Sequence, residues 1–347
     1  MDRKMWQVIG QDKIIDSLKH SLSDGHLSHA HLFLGPKNVG KMTLAINLAQ
    51  ALNCESDSKP CGQCHICRRI ASGNHPDIQF IQLAEADDTD KSSSRKTISV
   101  EQIRDMQYSI NLKPYEGSHR VIIIDGADHM SDGAANSLLK TLEEPPSNTV
   151  FVLLAIDEAL LLQTILSRCR KFDLLPMTVD IARQALIEQY GIQPERAELL
   201  ARICHGRIGW AISAIEDESI LEERSRNLSN LIDLASADTT DRFEFASELA
   251  TQFGKSRLAV REDLILWVTW WRDIMLMKNG CADSIINIDH ENVLREHAEQ
   301  CSTSVIGETI KAIQETMQQL DQNANPRLAL EVLMLNIPII ERERSHA

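Results

Sequence analysis

The sequence predicts a three-layer α/β domain followed by an all-helical remainder, and three observations carry that expectation. Short apolar runs at residues 30–34, 121–125 and 150–155 alternate with segments of helical periodicity up to about residue 175, as a parallel sheet with crossover helices requires. Gly35-Pro36-Lys37-Asn38-Val39-Gly40-Lys41 fits the phosphate-loop pattern G-x-x-x-x-G-K and falls between one of those runs and a helix. Beyond Pro176 no segment reads as a strand.

In chain order, residues 11–22 have helical spacing, and Ala30-His31-Leu32-Phe33-Leu34 is a buried strand ending at Gly35-Pro36. Residues 43–52 continue as a helix, interrupted at Cys54 by a small, polar, turn-rich insertion to Cys67. Residues 78–83 read as a strand and 84–96 as a solvated loop. The pair Ser99 and Gln102 opens a helix over 99–111 with the reciprocal capping pattern. Val121-Ile122-Ile123-Ile124-Asp125 is apolar throughout until its terminal carboxylate, which suits a central strand buried on both faces. A helix over 134–144 stops at Pro145-Pro146, and 150–155 is another buried strand. Helices follow at 179–190, 194–204 and 209–215, then longer ones to the C-terminus. Acidic residues 216–223 and polar residues 236–241 suggest a small helical domain, a hinge region and a larger bundle.

A chain of 347 residues exceeds the roughly 250 that one hydrophobic core organises, so two or three domains are expected. With 36 Lys+Arg against 50 Asp+Glu the net charge is −14, which argues against a protein that coats DNA unaided. No apolar run reaches the roughly 18 residues of a membrane span, and no signal-like core follows Met1-Asp2-Arg3-Lys4, so a cytoplasmic protein without membrane contact is expected.

Four constellations carry chemistry. In the first, Gly35, Pro36, Asn38, Val39 and Gly40 would turn amide N–H groups toward phosphate oxygens while Lys41 reaches the β/γ-phosphates. The position that should offer a hydroxyl to Mg²⁺ is Met42, with Thr43 one place late, and a thioether is a poor ligand for a hard cation. Nucleotide binding and a structural relic both remain compatible with this pattern. Second, Asp125 could hold Mg²⁺ through water, or merely cap its strand; Gly126 stands where a hydrolytic Glu would be needed. Third, Cys54, Cys61, Cys64 and Cys67 have the spacing C-x₆-C-x₂-C-x₂-C, which fits a closed, structural tetrahedral Zn²⁺ site, with His65 a bystander. Fourth, Ser167-Arg168-Cys169 is read either as a basic loop at a domain edge or as an arginine finger acting in a neighbouring subunit.

These residues resemble the bacterial clamp loader of DNA polymerase III, and within it the delta-prime kind of subunit, over nearly the whole chain. The resemblance rests on Ser28-His29-Ala30-His31-Leu32-Phe33-Leu34-Gly35, the cysteine module ending Cys61-Gly62-Gln63-Cys64-His65-Ile66-Cys67, and Ile98-Ser99-Val100-Glu101-Gln102-Ile103-Arg104. It continues through Ala135-Asn136-Ser137-Leu138-Leu139-Lys140-Thr141-Leu142-Glu143-Glu144-Pro145-Pro146, Ser167-Arg168-Cys169 and Asn325-Pro326-Arg327-Leu328-Ala329-Leu330-Glu331. The motor subunits tau and gamma share the cysteine module and the Ser-Arg-Cys motif. They keep a hydroxyl, a Glu and a sensing Arg where this chain has Met42, Gly126 and Gly209, and tau has a long C-terminal extension that this chain lacks.

The resemblance implies an AAA+ (RecA-like) domain at 1–175 with its zinc module at 54–67, a helical lid at 176–222 and a C-terminal helical collar at 223–347. It implies a non-hydrolysing subunit, assembled with tau/gamma motor subunits and the delta subunit, that helps load a sliding clamp at primer–template DNA. Arg168 would complete a neighbour's ATP site, and passive ATP or ADP binding stays open. The alternative is a self-sufficient motor ATPase that uses Thr43; a zinc-dependent DNA-binding module is disfavoured by the acidic balance. Trp267, Trp270 and Trp271, at i, i+3 and i+4, suit core packing or an interface, and the helix at 327–335 an oligomerisation surface.

Overall fold

The computed structural model describes residues 6–83, 97–110 and 114–340; the stretch 84–96, expected as a solvated loop, lies outside the described residues. The chain divides into two compact units, one reaching Tyr190 and including His205–Trp210, the other combining Gly191–Cys204 with the residues from Ala211 onward. No helix among the described residues is long and apolar enough to cross a membrane.

The first unit runs α1 (Asp12–Ser23), β1 (Ala30–Leu34), α2 (Lys41–Asn53), α3 (His65–Ala71), β2 (Ile78–Ile81), α4 (Val100–Ile110), β3 (Arg120–Asp125), α5 (Asp132–Glu143), β4 (Thr149–Ala155), α6 (Gln163–Leu166), β5 (Arg170–Asp173) and α7 (Val179–Tyr190). The five strands form one parallel sheet in the order β2-β3-β4-β1-β5. Alternation along the strands builds the three layers. Phe33, Val121, Ile123, Val152 and Leu154 join α1, α2 and α3 on one face, whereas Leu32, Ile122, Ile124, Phe151 and Leu153 meet α4 and α5 on the other.

Local chemistry sets the element ends. Gln102 Oε1 accepts from Ser99 N at 2.9 Å, and Ser99 Oγ from Gln102 N at 3.3 Å, which closes the expected capping box of α4. The buried carboxylate of Asp77 accepts the amides of Tyr115, Glu116 and Gly117 at 2.6–2.9 Å, fixing the turn that feeds β3. Burial alone would raise its pKa, but those three N–H donors outweigh it and hold the carboxyl below its ordinary range.

One strand is absent from the sequence reading: residues 167–169 do form a loop, but the residues directly after it form β5, which pairs in parallel with β1 from His31↔Arg170 to Leu34↔Asp173. It is an edge strand in which Phe172 alone is buried, so it lacks the apolar run that marks the inner strands. Residues 216–223 lie within the second unit, and a long helix starts among them at Ser219.

The second unit contains α8 (Pro194–Ile203), most of α9 (Ile208–Glu216), α10 (Ser219–Ser236), α11 (Thr239–Lys255), α12 (Arg257–Lys278), α13 (Glu291–Gln300), α14 (Thr303–Asp321) and α15 (Pro326–Asn336). Trp267, Trp270 and Trp271 are fully buried in its core, with Phe245 stacked on Trp267 at 6.1 Å, so the three indoles are packing residues. Buried ionic groups tie the helices together. Asp273 Oδ2 accepts from Ile286 N, Asn287 N and Asn287 Nδ2, each at 2.8 Å, and Arg224 spans Asn287 and Asp289. Arg242, 5% exposed, donates to the carbonyls of Ala235, Ala237, Met334, Ile337 and Pro338 at 2.5–3.2 Å, gathering the ends of α10 and α15 on one guanidinium.

Arg242→Met removes every one of these charged donors and leaves buried carbonyls unpaired, so urea denaturation should show a loss of about 3 kcal/mol or more. Arg242→Lys should recover less than half of it, because an ammonium cannot reproduce the planar fork. A Met variant within about 1 kcal/mol of the native protein would contradict this assignment.

Candidate functional site

The phosphate loop leaves the C-terminal end of β1 and runs directly into α2, whose first residue is Lys41. It is anchored from below by Val39, which is fully buried, and beside β4 by Gly35 N donating to Ala155 O at 3.2 Å. The Lys41 ammonium folds back on its own loop and donates to Gly35 O and Pro36 O, the latter at 2.8 Å. Burial lowers its pKa, while Asp125 and Asp128 nearby pull in the opposite direction. Met42 packs against the core cluster of the α1–α2 layer, and Thr43 is half-buried one position further on.

Two glycines determine what this loop can carry. Gly126, directly after Asp125, is left-handed at φ 84° and opens the short turn Ala127–His129. A Glu there would have to adopt a backbone conformation that side chains with a Cβ resist. Gly209, in the first turn of α9 and grouped with the first unit, donates its amide to Asn38 O at 2.9 Å. A Cβ on Gly209 would stand 2.9 Å from that same oxygen, so the helix approaches the loop closer than any larger residue allows.

Asp125 is half-buried at the end of β3; burial raises its pKa and Lys41 opposes the rise. Asp128, which the sequence reading did not single out, accepts the amides of Ile156 at 2.9 Å and Asp157 at 3.3 Å, joining the end of β3 to the end of β4. The structure thus gathers Gly35 to Thr43, Asp125 and Gly209 around one loop. Amide groups and an ammonium there suit phosphate, but no hydroxyl directly follows Lys41 and no carboxylate directly follows Asp125.

The four cysteines converge, with all sulfurs within 4.8 Å of one another. Cys54 Sγ and Cys64 Sγ are 4.0 Å apart and Cys61 Sγ and Cys67 Sγ 3.9 Å, close to the ~3.8 Å edge of a tetrahedron with metal–sulfur bonds of about 2.3 Å and far beyond a disulfide. Amides of Cys61, Cys64 and Cys67 point at Cys54, Cys61 and Cys64 sulfurs at 3.3–3.4 Å. The N–H groups of Cys64 and Gln63 draw the Cys61 thiol down to about 6, while burial pushes Cys54 and Cys67 up. A bound cation is what would reconcile four sulfurs so placed. The group could hold a metal ion, and His65 faces solvent outside it.

Arg168 sits between α6 and β5. Cys169 packs inward against the α4–α5 layer, and burial raises its thiol to about 12, whereas the Arg168 side chain turns outward, 32% exposed. Its guanidinium donates to Thr164 O at 2.9 Å, Ser167 Oγ at 3.2 Å and Glu143 Oε1 at 2.5 Å. Sequence reasoning quoted Glu143 only within a longer motif; its spatial partner is separated by 25 positions and has no local signal.

A sheet of this order, a phosphate loop leaving the inner strand β1 and a Cys₄ group define a P-loop domain fused to a helical unit. Residues 10–178 match the family described as DNA polymerase III, delta subunit, and residues 219–338 match DNA polymerase III, delta subunit, C terminal. A Bacillus subtilis DNA polymerase III subunit delta-prime is 31% identical over 94% of this chain and 95% of its own length. The tau subunit of the same organism is 28% identical over 95% of this chain but only 60% of its own length. A solved Thermotoga maritima protein related to the gamma subunit aligns over 94% of this chain and 99% of its own, with 17% identity and a TM-score of 0.47. The chain belongs to the delta-prime family of DNA polymerase III clamp-loader subunits.

The cysteine group generates a direct test. Metal analysis of the purified protein should find about one zinc per chain, and Cys64→Ser should lose most of it and expose α3 to limited proteolysis. A native protein free of zinc, or a Ser variant that retains it fully, would contradict the assignment.

Proposed function

We propose that this chain is a non-hydrolysing clamp-loader subunit that works on its neighbour's nucleotide through Arg168. The observation that carries the reading is the pairing of a loop without hydrolytic groups with an arginine presented to solvent. Met42 fills the core instead of facing a cation, Gly126 is committed to a left-handed turn, and Gly209 leaves no room for a sensing side chain. Arg168, by contrast, extends from a rigid strand–helix junction. Similarity to tau favours the motor reading, but it extends over residues that motors and delta-prime subunits share, and these three positions argue against it.

In this reading the Cys₄ module holds structural Zn²⁺, and the loop keeps the capacity to take ATP or ADP passively, with Lys41 leaving its carbonyl partners for phosphate. The parts would be the AAA+ domain at 1–175, a lid at 176–222 and a collar at 223–347 that assembles with the motor subunits and delta in the cytoplasm. On α15, Leu328, Val332 and Leu335 form an exposed apolar line that suits such assembly. The assembled loader would act on a sliding clamp at primer–template junctions.

Reconstitution with motor subunits, delta, clamp and primed DNA tests this. Arg168→Ala should leave the complex intact and reduce clamp-stimulated ATP hydrolysis at the adjoining site by at least about tenfold, within the reach of an arginine finger. Unchanged hydrolysis and loading would reject the trans role.

A further inference from the structure

We propose that Glu143 is a positioning residue for Arg168, an assignment that rests on the trans reading above and deepens it. An arginine that must meet a phosphate across an interface loses effectiveness if its long side chain samples many rotamers, because small misplacements of a charged group cost rate steeply. Here the chain of Arg168 is held at two separate places. Thr164 O and Ser167 Oγ take one guanidinium nitrogen from below, and Glu143 Oε1 takes the other from the side. Further N–H donors of the guanidinium remain for an incoming anion.

The support behind Glu143 is rigid. It is the last residue of α5, which starts at a Ser131 cap whose Oγ accepts from Ala134 N at 3.2 Å, and the residues just before it, Thr141 and Leu142, are buried. The pair is too exposed to serve as a fold-stabilising contact, with side chains 32% and 50% exposed, and such surface pairs contribute little to stability. Its geometry therefore points to orientation of the finger.

The same reconstituted complex separates the possibilities by steady-state ATP hydrolysis. Glu143→Ala should lower kcat about fivefold, with KM, complex stoichiometry and thermal melting unchanged. Glu143→Gln, which keeps the accepting oxygen, should restore at least half of the loss, and Glu143→Ala combined with Arg168→Ala should match Arg168→Ala alone. If Arg168→Ala is impaired while Glu143→Ala runs at the native rate or faster, the positioning role is overturned and the trans reading stands. If Glu143→Ala lowers kcat equally in the Arg168→Ala background, Glu143 acts by another route and the assignment also falls. Arg168→Ala at the native rate overturns the trans reading, and the Glu143 role with it.

Discussion

The pairing of β1 between β4 and β5 is the constraint on which the rest of the first unit depends. It fixes the end of β1, and so the loop, while the β1–β4–β3 register sets Asp125 and the turn that follows alongside it. On its other side, the pairing of His31 with Arg170 leaves Arg168 two residues outside the sheet, its amide donating to Ile165 O at 3.1 Å. One strand thereby positions both the phosphate loop and the outward-facing arginine. Burial on both faces makes this arrangement stiff, since Leu32 and Phe33 reach opposite layers without solvent contact.

Around that frame, the residues next to the loop Lys and the strand Asp serve structure. The thioether at position 42 adds to the core, and the Lys41 ammonium finds carbonyl partners in its own loop. Asp128 takes the amides at the end of β4, so the segment after Asp125 acts as a brace between strands. The second unit relies on a different device. Buried charges, Arg242 on backbone carbonyls and Asp273 on the amides of Ile286 and Asn287, tie helix ends that apolar packing alone would leave free to slide.

Much of this was legible in the sequence because it is encoded locally. Inner strands announce themselves as apolar runs, the α4 cap by Ser99 and Gln102, and the cysteine group by a spacing that brings four thiolates close enough for one tetrahedral site. What escaped was encoded in contacts between distant positions. β5 has a single buried side chain and draws its identity from β1, Asp77 serves a turn some forty residues away, and Arg242 collects carbonyls over ninety positions downstream. Glu143 is of the same kind: its motif was visible, its partner was not.

The proposed role requires that this chain does not turn over ATP by itself. Steady-state hydrolysis should therefore be measured on the purified protein without partners, alongside Lys41→Ala. The expected result is a rate at background for both. Turnover by the native chain that Lys41→Ala abolishes would contradict the central claim.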